Sequence, residues 1–241
     1  FLPKIDFTND HGLKFIFHYY DSSLLKYIST RPNERRDSPL IPPFDPDLYV
    51  CDLTEGAHHH LIINKFMQCE GHIVLSSIDK NAKQGSDLDI RDFNAFEQVF
   101  RSFNDEGMLY YNSGLNSGCS QLHKHLQYTP INELPMLDAM IDQKVPIHYH
   151  ILDIDKITAE RMMNVYKELI HMSKNDPPHD SYNLIISKRK AFYIPRKECQ
   201  HKTGIVINSF SMSGNFSIFQ WSDPLIKKEP LTIIKDVCFP I

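Results

Sequence analysis

The hydrophobic pattern changes period several times along the chain. "GLKFIFHYY" (12–20), "HHLIINKF" (59–66) and "GHIVLSS" (71–77) are short apolar runs bounded by turn residues, which predicts strands, the last two joined as a hairpin. Between the first and second, "TRPNERRDSPLIPPFDPD" (30–47) is rich in proline and charge and reads as a loop. After Ser86, a plausible N-cap, apolar residues recur at helical spacing: Ile90, Phe93, Phe96, Val99 or Phe100, and Phe103. "MLYYNS" (108–113) and "LHKHLQYT" (122–129) return to strand character around the loop "GLNSGCSQ" (114–121). A strand near "VPIHYHILDI" (145–154) is followed by a second helix, capped by Thr158, with Met162, Val165, Tyr166, Leu169 and Ile170 on its apolar stripe. Four further strands are predicted at 182–188, 191–195, 204–210 and 216–221. Strands flanking helices without strict βαβ alternation predict an α+β fold with a mainly antiparallel sheet and packed helices. The segment "SKNDPPHDS" (173–181) is the expected internal boundary, dividing the chain into 1–172 and 173–241 within one globular unit.

At 241 residues and 41% apolar content the chain can bury a core of one large or two small domains. The net charge of -4 excludes a general nucleic-acid binder, so any anion site must be local. Five scattered cysteines with no CxxC pair read as a reduced, cytoplasmic protein. No apolar run approaches membrane-spanning length, and "FLPKIDFTND" does not read as a signal peptide.

Candidate chemistry concentrates in "NSGCSQLHKHLQYTP" (116–130). Residues two apart on a strand share a face, so His123, His125 and Gln127 would form a row with roughly 6.5–7 Å between successive side-chain origins, while Lys124 and Leu126 face the other way. Three readings compete. The row is an ordinary polar face, or a zinc site, since HxH on a strand presents two imidazoles to a metal, or a nucleophilic centre in which one imidazole attacks phosphorus. For zinc a third ligand is wanting, because glutamine is a poor one and no Asp, Glu or Cys adjoins. The preceding "SGLNSGCSQ" favours the nucleophile: Gly, Ser and Asn in a short span let backbone N–H groups and hydroxyls converge on an anion.

The stretch "YNSGLNSGCSQLHKHLQ" (111–127) resembles the signature of the ATP adenylyltransferases, or diadenosine tetraphosphate phosphorylases, of the histidine-triad-like superfamily. "LIINKFMQCEGHIVLSS" (61–77) is similar to that family's NKF-x(4)-H hairpin, "SYNLIISKRKAFYIPRK" (181–197) to its SYN…PRS segment, and "INSF" (207–210) to its later N-S turn. The resemblance implies a histidine-triad-like fold and His125 as nucleophile, attacking the α-phosphorus of a dinucleoside polyphosphate to give an adenylyl-histidine and ATP. Phosphate then takes the adenylyl group to form ADP. A neutral imidazole attacks through one nitrogen only if the other keeps its proton, so a carbonyl or side chain near His123 is expected to accept that hydrogen bond. Gln127 stands where hydrolases of the superfamily carry a third histidine, and an amide can donate to a phosphate oxygen but not shuttle a proton, which favours transfer over hydrolysis.

By the same resemblance Ser120, Gln121 and the backbone of Gly118 and Cys119 cradle the α- and β-phosphates, and Asn112, Asn64, Lys65, Asn208 and Ser209 are substrate contacts. Arg31 in the basic loop is the candidate to reach the polyphosphate, with Arg35 and Arg36 beside it. Each also has a plain reading: Asn112 as a turn former, Lys65 and the arginines as solvated charges. The stretch "NSFSMSGNFSIFQ" (208–220) departs from the family by lacking the first glycines after its N-S pair and by ending in Gln220 where a lysine is expected. A divalent cation such as Mg²⁺ is expected to accompany the polyphosphate, and no organic cofactor or dedicated metal set is expected. Nucleotidyl transfer to sugar phosphates, which related proteins perform with an HxHxQ row, and a nucleotide-binding protein with weakened turnover are the competing functions.

Overall fold

The computed structural model describes residues 4–20, 38–219 and 222–241. Eleven strands among these residues form two sheets. The small sheet is β1 (Lys4–Asp10), β2 (Leu13–Tyr19) and β11 (Asn215–Ile218), with β1 antiparallel and β11 parallel to β2. The large sheet is wholly antiparallel and holds β3 (Tyr49–Leu53), β4 (His59–Ile63), β5 (Ile73–Ser77), β6 (Met108–Ser113), β7 (His125–Thr129), β8 (His150–Asp153), β9 (Tyr182–Ser187) and β10 (Lys190–Pro195). Its spatial order is β3-β4-β5-β7-β6-β9-β10-β8, so strands from both sides of the 173–181 segment share one sheet. The α+β, mainly antiparallel expectation is met.

Both faces of the large sheet are covered. On one face lie α1 (Ile90–Ser102) and α3 (Ala159–Met172), which bury Phe93, Phe96, Phe100, Met162, Val165 and Leu169 against Leu109, Tyr111, Leu126 and Leu184. Each such ring or chain contributes about 1.5–3 kcal/mol of burial, and Phe96→Ala would cost about 3–5 kcal/mol. On the other face the small sheet, α2 (Pro135–Ile141) and α6 (Pro230–Val237) enclose Phe15, Phe17, Met136, Ile233 and Phe216 with Tyr110, Ile185 and Phe192. Two short helices complete the fold, α4 (Ser209–Met212) and α5 (Leu225–Lys228).

Several expectations are corrected. The N-cap of α1 is Asp89, not Ser86: Asp89 accepts from the Arg91 N–H, and Asp92 accepts from the Asp89 N–H, a reciprocal capping pair. Residues 204–210 are not a strand; after a single bridge from Val206 to Gln200, Asn208 accepts from the Phe210 and Ser211 N–H groups and starts α4. The strand at 145–154 pairs only from His150, because Val145 and Ile147 are drawn into the core and Pro146 has no N–H to offer. Elements at 4–10, 49–53, 135–141 and 225–237 had no clear periodic signal.

Candidate active site

The histidine row sits on the face of the large sheet shared with Tyr110, where β5, β7 and β6 meet. Antiparallel register pairs Ser76 with His125, Val74 with Gln127, and Tyr110 with Gln127. The β6–β7 ladder stops at that last pair, and the side chain of Gln84 takes over. Its Nε2 donates to the carbonyls of Asn112 (2.7 Å) and His125 (3.2 Å), and its Oε1 accepts from the His125 N–H (2.8 Å). The amide thus imitates one peptide of a missing strand and lets the chain splay at the start of β7 without orphaning backbone groups.

His123 lies just before β7, held by a single bridge to Lys83. Its Nε2–H donates to the Ser77 carbonyl at 2.8 Å, and its own carbonyl accepts from His125 Nδ1–H at 2.8 Å. The group that fixes the His125 tautomer is therefore the backbone of His123, not its ring, and the proton held at Nδ1 leaves His125 Nε2 with its lone pair. Burial pushes the His125 imidazole down to about 4, with the His123 carbonyl opposing the shift and the His123 ring adding to it. His125 is neutral at pH 7.

Gln127 is held just as firmly. His72, a fully buried residue of the β4–β5 hairpin, accepts the Gln68 N–H at Nδ1 (3.1 Å) and therefore donates from Nε2 to Gln127 Oε1 (2.9 Å). The Tyr110 hydroxyl, 3.2 Å from the same oxygen, shares its one proton between it and Gln68 Oε1 at 3.1 Å. With its oxygen engaged by His72 and faced by Tyr110, Gln127 presents its NH₂. Burial brings His72 down to about 4 as well, against the Gln127 hydrogen bond, so it too is neutral.

The loop before the row is tied from behind. Ser117 Oγ and Cys119 Sγ both donate to the Gly114 carbonyl, and Asn183 Nδ2 donates to the Ser117 carbonyl. Gly118 has φ +80, and a Cβ there would be driven into the Ile207 carbonyl and lie 2.9 Å from Asn208 Cβ. The backbone N–H groups of Cys119, Ser120 and Gln121 meet no protein acceptor among the described residues, and Ser120 is exposed. Ser38 Oγ donates to Gln121 Oε1 at a long 3.4 Å. Burial pushes the Cys119 thiol up, which disfavours the thiolate.

Three of the expected contacts lie behind this loop, in the hydrogen-bond frame. Asn112 Oδ1 accepts from Asn183 Nδ2 (2.8 Å), Ser209 N–H (3.0 Å) and Ser209 Oγ (2.7 Å), and Asn208 caps α4. The frame ends in Arg196, 1% exposed, whose Nη1 donates to Asn183 Oδ1 and to the Ile207 carbonyl and whose Nη2 donates to the Glu198 carbonyl. Asn64, by contrast, sits at the row's edge, its Nδ2 lying 3.3 Å from both His72 ring nitrogens while its Oδ1 accepts the Phe66 N–H. Lys65 lies 3.8 Å from Asp45 on the partly exposed turn that follows β4. Arg31, Arg35 and Arg36 lie outside the described residues, as does Gln220.

Sequence reasoning missed His72, Tyr110, Gln84, Asn183 and Arg196 as parts of the site. His72 is the histidine of the "NKFMQCEGH" spacing and Arg196 belongs to "IPRK", so both carried a signal; Gln84, in a polar loop, carried none.

The comparisons with known proteins bear on this arrangement. Residues 3–153 match the Ap4A phosphorylase N-terminal domain and residues 143–240 the ATP adenylyltransferase C-terminal domain. The chain is 24% identical over 220 residues to diadenosine 5',5'''-P1,P4-tetraphosphate phosphorylase 2 of Saccharomyces cerevisiae, covering 73% of this chain and 67% of that protein. Its fold superposes on the crystal structure of yeast Ap4A phosphorylase with a TM-score of 0.79 at 21% identity, over 99% of this chain and 90% of the other. It superposes on the complex of that enzyme with Ap4A with a TM-score of 0.78 at 19% identity, covering 99% and 90%. Since the first profile alone spans more than half of the chain and holds the whole histidine row, this chain belongs to the Ap4A phosphorylase family of ATP adenylyltransferases.

Proposed function

We propose that the chain cleaves diadenosine tetraphosphate phosphorolytically, giving ATP and ADP through an adenylyl group carried on His125. The observation that carries this reading is the state of His125: neutral, with its proton pinned at Nδ1 by the His123 carbonyl and its Nε2 lone pair available. Nε2 would bond to the α-phosphorus as the bond from that phosphorus to the bridging oxygen breaks, and the electron pair leaves with ATP. A phosphate oxygen then attacks the same phosphorus, the P–N bond breaks, and ADP leaves with His125 restored.

Two sets of donors support the charge that builds on the non-bridging oxygens. One is the Gln127 NH₂, aimed by His72 holding its oxygen and Tyr110 facing it. The other is the run of N–H groups from Cys119 to Gln121 with the Ser120 hydroxyl, the α- and β-phosphate cradle. Asn64 at the row's edge and Lys65 beside it serve as outer contacts, and Arg31 as a reach toward the distal phosphates. Asn112, Asn208 and Ser209 act by positioning the cradle loop.

Among the described residues no carboxylate hydrogen-bonds His123, His125 or Gln127, so a protein-built Mg²⁺ cage is not a fit for this row. Magnesium would arrive on the substrate's own phosphates. The partners are then a dinucleoside polyphosphate, ATP, ADP and phosphate in the cytoplasm. All five cysteines are free thiols and no described helix is long and apolar enough to cross a membrane.

The test is a rapid acid quench of protein mixed with dinucleotide labelled at the α-phosphate. A protein-bound, acid-labile label, and ADP formed only when phosphate is added, are expected; His125→Asn should lose several orders of magnitude in turnover. Full turnover by that variant, or ADP formed without phosphate, would overturn the assignment.

A further inference from the structure

Away from the row, at the far edge of the large sheet, two imidazoles and a carboxylate converge on one point. His148 and His150 are two apart on an extended segment and project to the same side. The Nε2–H of each donates to the same atom, Asp176 Oδ1, at 2.7 and 2.8 Å. Asp176 follows the short turn that ends α3 and its side chain is 1% exposed, whereas the two rings remain partly open to solvent. Its second oxygen, Oδ2, is buried with no hydrogen-bond partner, and among the described residues no lysine or arginine pairs with it.

A buried carboxylate with one oxygen doubly engaged and the other orphaned is a costly arrangement for a purely structural clasp. The same three groups suit a cation. Each can offer one ligand atom, and those atoms lie within 4.8 Å of one another. We propose that His148, His150 and Asp176 form a site for a divalent transition-metal ion of the zinc class, the two imidazoles binding through Nε2 and the carboxylate through one or both oxygens. Two nitrogens and a carboxylate suit zinc over Mg²⁺ or Ca²⁺, which prefer all-oxygen sets.

Metal–ligand bonds of about 2.0–2.2 Å in tetrahedral geometry place ligand atoms about 3.3 Å apart. The two N···O separations, 2.7 and 2.8 Å, are about half an ångström shorter, as expected when protons occupy the place of the metal, and small ring movements at a partly exposed edge open that distance. On binding, each neutral imidazole would shift its proton from Nε2 to Nδ1 by exchange with solvent, which frees the Nε2 lone pair for the metal. A fourth position would face solvent, on the open side of the rings.

The site would staple the edge strand β8 to the C-terminal end of α3. It stands four strands from β7 in the sheet, roughly 19 Å at about 4.8 Å per strand, too far to touch the reacting phosphate. Its role is therefore structural.

Untagged protein stripped with a chelator should take up one Zn²⁺ per chain, measured by elemental analysis after gel filtration and by competition with a chromophoric chelator. Thermal unfolding should rise by several degrees at a hundredfold excess over Kd. The His148→Ala/His150→Ala double variant should retain no zinc, and Asp176→Asn, which preserves shape, should bind at least tenfold more weakly. His125→Asn should bind as wild type does. Failure of wild type to hold zinc, unchanged binding by the double variant and by Asp176→Asn, or loss of binding in His125→Asn would each overturn the proposal. If the double variant does not fold, Asp176→Asn decides alone.

Discussion

Replacing Gln84 with leucine should damage fold and chemistry together, although Gln84 itself donates nothing to the phosphate. Its amide satisfies the His125 N–H and the carbonyls of Asn112 and His125 in a part-buried seam. Leucine fills a similar volume and leaves those three groups unpaired. A buried polar group without a partner costs about 1–3 kcal/mol, less where water enters, so a total of about 2–4 kcal/mol is expected. In a chain of this size that lowers the melting temperature by roughly 5–15 °C. His125 also loses the lateral tether of its backbone, and misplacement by about 1 Å costs on the order of a hundredfold in rate. Urea unfolding and rapid-quench adenylylation, the latter well below the transition, measure the two effects separately. Gln84→Glu keeps the acceptor for the His125 N–H, loses both donors, and places a negative charge that should raise the His125 pKa and move the acid limb of the adenylylation rate upward. A leucine variant melting within about 2 °C of wild type and adenylylating at the wild-type rate would refute the reasoning.

Burial holds His72 and His125 near 4 in the folded protein, against the ordinary 6.5, so between those values the unfolded chain binds more protons. Stability is then full above about pH 6.5 and is lost as pH falls toward 4, by up to about 3 kcal/mol per histidine, which urea midpoints at pH 7 and near pH 4.5 would measure. Gly118→Ala puts a side chain at φ +80 against the Ile207 carbonyl; the left-handed backbone costs about 1–2 kcal/mol, and displacement of the cradle should raise KM for the dinucleotide, read by steady-state kinetics and melting. His72→Leu frees the Gln127 oxygen from its buried donor and lets the amide turn; losing one aimed donor should cost on the order of a hundredfold in kcat, whereas an unchanged kcat would show that His72 does not aim the amide.

How much of this was readable in advance depends on how local the cause is. The row, its loop and the two long helices follow from spacing over a few residues, and the spacing survives folding: Phe93, Phe96 and Phe100 meet the sheet and Lys124 turns away from His125 to pair with Asp92. What was missed is non-local. Gln84 acts because two strands splay 28 and 41 residues downstream of it, and Arg196 because its buried guanidinium finds oxygens from Asn183, Glu198 and Ile207. Asn208 shows the reverse error. Its run of apolar neighbours looks like a strand, but one side-chain oxygen capping two N–H groups outweighs that pattern.

The depressed pKa of His125 has a purpose beyond keeping it neutral in the free protein. A polyphosphate brings several negative charges beside the ring, and negative charge raises an imidazole pKa. Because Nδ1 already holds its proton against the His123 carbonyl, any further proton must go to Nε2, the atom proposed to attack. An imidazole at its ordinary value near 6.5 would be protonated by its own substrate at neutral pH. Starting from about 4, burial gives roughly 2.5 units of margin before substrate binding restores the ordinary value. The groups around His125 add no charge to this balance: His72 is neutral, Gln127 offers only an amide, and Lys124 is committed to Asp92 on the opposite face. In the proposed reaction, dipoles fixed in advance would hold the phosphate oxygens while His125 Nε2 stays unprotonated.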